Sequence, residues 1–343
     1  MTQRSVLSCS FESLTHVLQG SGRAKSIWAH LRNGQHPWDV PLSKKQAKLF
    51  YPAFQAFKEE ISSCHQANCG TTKLTLKMTD ALEVETVLIP APGRTTLCLS
   101  SQVGCARACD FCSTGQMGLV RNLTAHEILF QVFAALKTLK AQPHLPPLRN
   151  IVFMGMGEPL NNWSEVEKSI SQLIDVHTFG FGPKHITLST VGPSPQHILK
   201  LKKLPVRFAW SLHAAKDTTR KKLVPTTKNS IEALTQAFTT LLRPRKEGLF
   251  IEMTLIENVN DSVDDAHALV QCLQSLPNES RVNLIPVNPT PGNTYQPPSA
   301  LQISKYRSIV RQAGYFCSIR PSRGQTATAA CGQLVTLRTH ASH

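Results

Sequence analysis

The run Gln102-Val103-Gly104-Cys105-Ala106-Arg107-Ala108-Cys109-Asp110-Phe111-Cys112-Ser113 decides how the rest of the chain is read. Three cysteines fall within eight residues, Cys105 to Cys112, and no fourth follows nearby. Three thiolates so spaced can hold three irons of a [4Fe–4S] cluster and leave one iron open to a small molecule, usually S-adenosylmethionine (SAM). Such a cluster passes an electron to the sulfonium of SAM and releases a 5′-deoxyadenosyl radical. The protein tunes and positions, and the cofactor supplies the hard chemistry. Two plainer readings stand beside it. Structural zinc also takes cysteine, though it commonly wants four ligands as CxxC pairs. A chain with ten cysteines can also carry three close thiols by chance.

Outward from this run, the apolar stretch at 95–99 reads as a strand, and strand and helix signals then alternate. Strands are expected near 150–154, 185–190, 206–211, 249–256 and 281–286, with a last one near 315–320 and helical stretches between. The helix at 124–140 opens on Thr124 with Glu127 three residues on, a capping-box pattern. Six strand–helix units make an α/β fold with a parallel sheet, open or closed into a partial (β/α)6 barrel. A full eight-unit barrel needs more chain. Chemistry in parallel folds collects at the carboxyl ends of the strands, and the cysteine run follows the 95–99 strand there. Before it, 71–78 and 82–89 read as a β-hairpin. Residues 1–70 read as a small helical domain, with helices over 11–18, 23–32 and 42–61 broken at Gly20-Ser21-Gly22 and Pro37-Trp38. The expected division is therefore 1–70 and 71–343.

The chain has 343 residues, 41% of them hydrophobic, enough for a sizeable core and too apolar for wholesale disorder. Thirty-seven basic against 22 acidic residues leave a formal charge of +15. That excess favours an anionic partner, nucleic acid first, over a merely soluble basic protein. Lys25, Arg32, Lys44, Lys45 and Lys48 make the N-terminal part basic, as a solvated helix face or an RNA contact. Residues 1–8 lack the apolar run of a signal peptide, and no stretch reaches about 18 apolar residues, so neither secretion nor a membrane span is expected. Cysteine usage then suggests a reducing cytoplasm. Cys9, Cys64, Cys69, Cys272 and Cys317 sit in no motif and read as plain thiols, although Cys64 and Cys69 flank His65 and could bind a metal.

The segment from Leu97-Cys98-Leu99-Ser100 through Cys105 and Phe111-Cys112-Ser113-Thr114-Gly115-Gln116, with Arg121-Asn122-Leu123 after it, resembles the RlmN/Cfr family, radical-SAM methyltransferases that act on adenosine in RNA. The resemblance continues through Met154-Gly155-Met156-Gly157-Glu158-Pro159-Leu160, Thr187-Leu188-Ser189-Thr190, Ser211-Leu212-His213-Ala214, Asn283-Leu284-Ile285-Pro286 and Ala329-Ala330-Cys331-Gly332-Gln333-Leu334. Gly157-Glu158-Pro159-Leu160 and Asn288-Pro289 favour the RlmN branch. The resemblance implies a [4Fe–4S] cluster on Cys105, Cys109 and Cys112 and two SAM molecules per turnover. It places Gly157 and Glu158 on the amino group of SAM, with Ser189, Ser211, Leu212, His213 and Asn288 lining the rest of its pocket. Phe111 would pack near the cluster or the adenine. Cys331 would be methylated and carry the methyl group to carbon 2 of adenine, an electron-poor carbon that polar methyl transfer cannot reach. Cys98 would then release the base by forming a disulfide with Cys331, and Glu85 would accept a proton. The implied partners are an RNA substrate (rRNA, tRNA or both) and an electron donor such as flavodoxin, for a cytoplasmic monomer.

Without the resemblance, Glu85 reads as a solvent-facing strand residue, Cys98 as a buried strand thiol, and the pocket serines as turn or cap residues. Methylation at carbon 8 or of another RNA, and a zinc-stabilised RNA-binding protein without catalysis, remain alternatives. Two departures bear on the substrate. Gln325-Thr326-Ala327-Thr328 replaces the family's acidic residues after Arg323-Gly324, and Ile89-Pro90 leads into Ala91-Pro92-Gly93 without the usual acid.

Overall fold

Strand-forming residues placed at period two build one long sheet in a computed structural model that describes residues 4–245, 247–290, 292–320, 324 and 328–336. Strands β1 (Glu60–Gln66), β2 (Thr72–Lys77), β3 (Glu83–Ala91) and β4 (Arg94–Cys98) pair antiparallel in chain order. Strands β5 (Gln102–Gly104) and β6 (Leu119–Asn122) form a separate two-stranded sheet that brackets the cysteine run. Beyond β4 all pairing in the long sheet is parallel, through β7 (Leu148–Phe153), β8 (Ile186–Thr190), β9 (Arg207–Ser211), β10 (Phe250–Leu255), β11 (Arg281–Pro286) and β12 (Phe316–Ile319). The ten strands follow in the order β1-β2-β3-β4-β7-β8-β9-β10-β11-β12. The six expected parallel units are thus present, with β12 as a further parallel strand at the edge.

The two faces of the parallel strands differ in chemistry. One set of alternate side chains, among them Leu97, Ile151, Leu188, Phe208, Ile251, Val282 and Leu284, joins helix residues such as Ile128, Val132, Ile170, Phe238 and Leu269 in a single buried core. The opposite set is largely polar: Thr187 and Ser189 on β8, Ser211 on β9, Glu252 and Thr254 on β10 line cavities. A strand alternates its side chains between faces. One face is therefore sealed by helices and the other is left hollow for binding.

The helix Ala125–Ala141 begins as its sequence predicts. Thr124 accepts from the Glu127 amide, and the Glu127 carboxylate accepts from the Thr124 amide. Arg121 of β6 grips the same carboxylate at 2.9 and 2.7 Å, fixing the helix start to the strand that brackets the cysteines.

The N-terminal helices are Phe11–Val17, Ser21–Arg32 and Lys44–Ala53. The helix expected over 42–61 stops early. Pro52 lies in its last turn, Phe54 is extended and bridges to Arg4, and 60–66 becomes the edge strand β1. Proline removes a helical donor and disfavours continuation, and the otherwise free edge of β2 supplies backbone partners for residues 60–66. Leu14, Trp28, Leu31 and Phe50 belong to the same core as the sheet. Phe57 meets Phe130 and Phe133 of the long helix edge-on, with ring centroids 5.9 and 5.3 Å apart.

Candidate active site

The carboxyl ends of the parallel strands converge on one cavity. Cys105, Cys109 and Cys112 form part of its wall, after β4 and β5. Gly157 and Glu158 reach it from the end of β7, Ser189 from β8, Ser211 and His213 from β9, and Asn288 from beyond β11. Cys331, from the C-terminal segment, closes one side. Residues separated by more than two hundred positions meet because every parallel strand returns to the same end of the sheet.

Cys105 and Cys109 are buried and Cys112 is half-buried. Burial pushes the Cys105 thiol up to about 12 and the Cys109 thiol well above its usual range, and the neighbouring thiols add to the rise at Cys109. Thiolates cost energy here unless a metal cation compensates them, and a coordinating metal does so by deprotonating the thiol outright. The donor set, three cysteines on one cavity wall, fits a soft metal body with iron–sulfur chemistry. Among the described residues no three of His, Cys, Asp and Glu converge on a single-ion position, Cys64, His65 and Cys69 included. Packing holds the loop tightly: at Gly115 a Cβ would meet the Cys109 amide at 2.8 Å, and the Ser113 amide donates to Gly332 O at 2.8 Å.

Gly157 adopts φ +98, and a Cβ there would lie 2.6 Å from Gln102 Cβ, so glycine is required twice over. Gln102 Oε1 accepts from the Glu158 amide at 2.8 Å. Glu158 is buried, and its oxygens accept from the amides of Leu160 at 3.0 Å and Val191 at 2.9 Å. Burial raises its pKa and these amides oppose the rise. Ser189 Oγ and Ser211 Oγ lie 3.0 Å apart. His213 is buried in a left-handed conformation (φ 61), with Nδ1 accepting from the Thr254 amide at 3.3 Å. Burial, aided by Arg220, pushes its pKa down to about 3, so the ring is neutral. Phe111 meets the His213 ring edge-on at 4.8 Å, which places it at the cavity rather than in the main core. Leu212 is the exception among the expected pocket residues. Its side chain is fully buried in the core, and its carbonyl accepts from Arg220 Nε at 3.2 Å.

Cys98 lines a second cavity that adjoins the first, and Cys331 lines both. Cys98 is buried, and burial together with the nearby Cys331 thiol raises its pKa. Cys331 is exposed as a residue, yet the protein packed around its thiol still raises its pKa, against the pull of Arg320. All ten cysteines are free, Cys98 and Cys331 among them. Asn288 Nδ2 donates to Cys331 O at 3.0 Å.

Glu85 is not the solvent-facing strand residue that alternation alone suggests. It is buried and forms a 2.7 Å ion pair with Lys73, also buried. Its other oxygen accepts from the Val335 amide at 2.9 Å, while Lys73 Nζ donates to Thr328 Oγ1 at 2.8 Å. The pair therefore clasps the C-terminal segment on both sides of Cys331 and covers the hairpin face that would otherwise meet water. Burial raises the Glu85 pKa and Lys73 opposes it.

Two residues that sequence reasoning missed stand out. Lys73 is one. The other is Glu252, 3% exposed, whose Oε1 accepts from Asn283 Nδ2 at 2.9 Å and Arg320 at 3.3 Å. Its Oε2 is buried without a hydrogen-bond partner among the described residues, in a side chain that lines the cavity. A carboxylate inside the apolar run Phe250–Leu255 was the available signal. The departure at Gln325-Thr326-Ala327 lies outside the described residues, and Ala91-Pro92-Gly93 falls at the turn between β3 and β4.

The sequence model of the Radical SAM superfamily matches residues 99–270. The dual-specificity RNA methyltransferase RlmN of Magnetococcus marinus is 41% identical over 322 residues, which cover 91% of this chain and 88% of that protein. That of Bartonella henselae is 37% identical, covering 96% and 88%. A radical SAM methyltransferase from Sphaerobacter thermophilus superposes with a TM-score of 0.87 at 34% identity, covering 96% of this chain and 98% of that one.

Proposed function

The chain belongs to the radical SAM superfamily and, within it, to the RlmN family, and from that premise we propose that it methylates carbon 2 of adenosine in RNA, using a [4Fe–4S] cluster and two SAM molecules per turnover. When bound, these groups supply the electron, the methyl group and the hydrogen-abstracting radical that an electron-poor carbon requires.

The protein's own part is to bind, orient and resolve. Cys105, Cys109 and Cys112 hold three irons. Glu158 is pre-set by two backbone amides to receive an ammonium group, and Gly157 leaves room for it. The Ser189–Ser211 hydroxyl pair and Asn288 offer polar contacts, and neutral His213 adds no positive charge to the cavity that would take SAM. Cys331 Sγ would carry the methyl carbon to the base; Cys98 Sγ, as thiolate, would then attack Cys331 Sγ, forming the S–S bond as the bond from Cys331 Sγ to that carbon breaks, its electron pair leaving with the base, which takes up a proton as the methylated product. Glu85 accepts a proton, its Oε1 paired with Lys73 and its Oε2 holding the Val335 amide. In this proposal residues 1–70 form an RNA-contacting part and 71–343 the catalytic part. The substrate is rRNA, tRNA or both, a flavodoxin-like protein donates electrons, and the enzyme is a cytoplasmic monomer. Among the described residues no helix is long and apolar enough to cross a membrane.

The observation that carries the reading is the meeting of Cys331 with the cysteine run, Gly157 and Glu158 at one cavity, and with Cys98 at the next. It is tested by separating the two thiols in time. Cys331→Ala should yield neither methylated protein nor RNA adduct. Cys98→Ala should still attack RNA and then stall, leaving a nucleotide remnant on the Cys331 peptide that mass spectrometry detects. Normal turnover by Cys98→Ala would sink the two-thiol mechanism. A colourless protein after anaerobic purification would favour a zinc-stabilised RNA-binding protein instead.

A further inference from the structure

The opposite end of the parallel sheet, where the strands begin, carries side chains that the active site does not use. β9 starts at Arg207, β10 at Phe250, β11 at Arg281 and β12 at Phe316. Phe250 pairs in register with Arg281, and Arg281 with Phe316. Arg207 stands two residues before Ala209, the partner of Phe250, and so shares their face. Cation and aromatic ring alternate along this edge. The Arg207 guanidinium lies 6.0 Å from the centre of the Phe250 ring, and that of Arg281 lies 5.5 Å from the centre of Phe316. Phe316 is 55% exposed, a large ring left in water at the last strand of the sheet.

This edge continues inward. The second cavity runs from Arg94, Lys184, Arg207 and Phe250 at the strand starts to Cys98 and Cys331. Among the described residues no carboxylate lines it. Two carboxylates stand at the rim beside Arg207 and Arg281, and one of them, Glu247, is already paired with Arg245 at 3.0 Å. A channel lined by Arg94, Lys184, Arg207 and Arg320, with the Phe250 ring at its strand-start end, suits one class of ligand. Unpaired nucleotides present anionic phosphates to the cations and flat bases to the rings.

We propose that the strand-start edge of the sheet, the ladder Arg207–Phe250–Arg281–Phe316, is the platform on which an unpaired RNA segment lies while its target adenosine enters the adjoining cation-lined cavity toward Cys98 and Cys331. This rests on the RNA-methylating function above and names the surface that function uses. It adds an RNA contact on the catalytic part to the one proposed for residues 1–70. Arginine at this edge neutralises phosphate and stacks, and phenylalanine stacks alone. The two residue types should therefore differ in salt dependence.

The test is fluorescence anisotropy of the full-length protein with a labelled, unstructured, adenine-containing RNA, read across a salt series. Methylation of cellular RNA by the unaltered protein is scored separately. Arg207→Ala/Arg281→Ala should weaken binding at least tenfold at low salt and flatten the log–log salt slope by about 1.4, at about 0.7 per single-strand phosphate contact. Phe316→Ala should weaken binding about tenfold with the slope unchanged, and Phe316→Trp should bind as tightly as the unaltered protein. Thermal unfolding checks that these exposed substitutions leave the fold intact. Binding unchanged in the Arg207/Arg281 variant but lost in Lys44→Ala/Lys45→Ala/Lys48→Ala would overturn the platform and place RNA on the N-terminal helices. Binding unchanged in both would overturn it as well. If the unaltered protein neither methylates nor binds RNA but binds poly-glutamate through Arg207 and Arg281, the RNA reading itself falls and the edge is a protein-docking site.

Discussion

At His213 the backbone, the ring and the surroundings all act on one proton. The left-handed φ turns the side chain into the cavity, Thr254 donates to Nδ1, and burial beside Arg220 keeps the ring neutral, with a pKa of about 3. The folded pKa lies below the unfolded one, so the unfolded state binds the proton first as pH falls. Stability from this residue is then complete above about pH 6.5 and lost progressively between there and about pH 3. Between pH 7 and 5 the loss should be about 2 kcal/mol, at 1.36 kcal/mol per pH unit below the unfolded pKa. Urea denaturation of the unaltered protein and His213→Gln at both pH values measures it. The unaltered protein should lose more stability on acidification than the variant, and equal losses would show that His213 titrates normally. Sequence reasoning could place His213 near the site through its position after β9, but its neutral state comes from burial, which no local pattern encodes.

Among the elements, the β2–β3 hairpin and the C-terminal segment depend on each other most. Lys73 and Glu85 are diagonal neighbours across the hairpin, since Lys73 faces Val87 and Glu85 lies two residues away. On a free hairpin they would form a surface pair worth little. Covered by the segment from Thr328 to Val335 they become a buried pair, and removing one partner strands a charge. Lys73→Met should therefore destabilise by about 3–5 kcal/mol, and Lys73→Met/Glu85→Leu by clearly less, because the double change leaves no lone charge. Chemical denaturation gives both values. Alkylation of Cys331 followed by peptide mass spectrometry should report faster labelling in Lys73→Met, since Cys331 sits between the two clasped positions. Labelling no faster than in the unaltered protein would mean the clasp does not hold the thiol. The hairpin strands were visible in period-two alternation, but which face would be covered was not, because the covering segment lies some 250 residues away.

For the whole molecule, the N-terminal helices and the barrel share one core. Trp28, Leu31 and Phe50 lie in the same buried cluster as Leu97 and Ile151, and the rings of Phe57, Phe130 and Phe133 meet across the join. A cut after residue 70 would also remove β1 from the sheet edge. Deleting residues 1–53 should therefore lower the thermal midpoint by more than about 5 °C and expose apolar surface to the dye ANS, because that part shares its core with the rest. An unchanged midpoint without dye binding would make the helices an independent appendage.

What the sequence determined by itself was the strand–helix succession from residue 95 onward and the identity of the chemistry. Strand and helix periods, the Thr124–Glu127 cap and the spacing of Cys105, Cys109 and Cys112 are local patterns, and local patterns survive in one dimension. Only the tertiary structure decided that Leu212 faces the core, that the helix over 42–61 yields to a strand after Pro52, and that Glu85 is buried with Lys73. It alone left Glu252 with an oxygen unpartnered among the described residues at the cavity and aligned Arg207, Phe250, Arg281 and Phe316 on one edge. The reason is common to all of them: each depends on which distant strand or segment comes to lie alongside, and parallel pairing brings together residues that no short window of sequence contains.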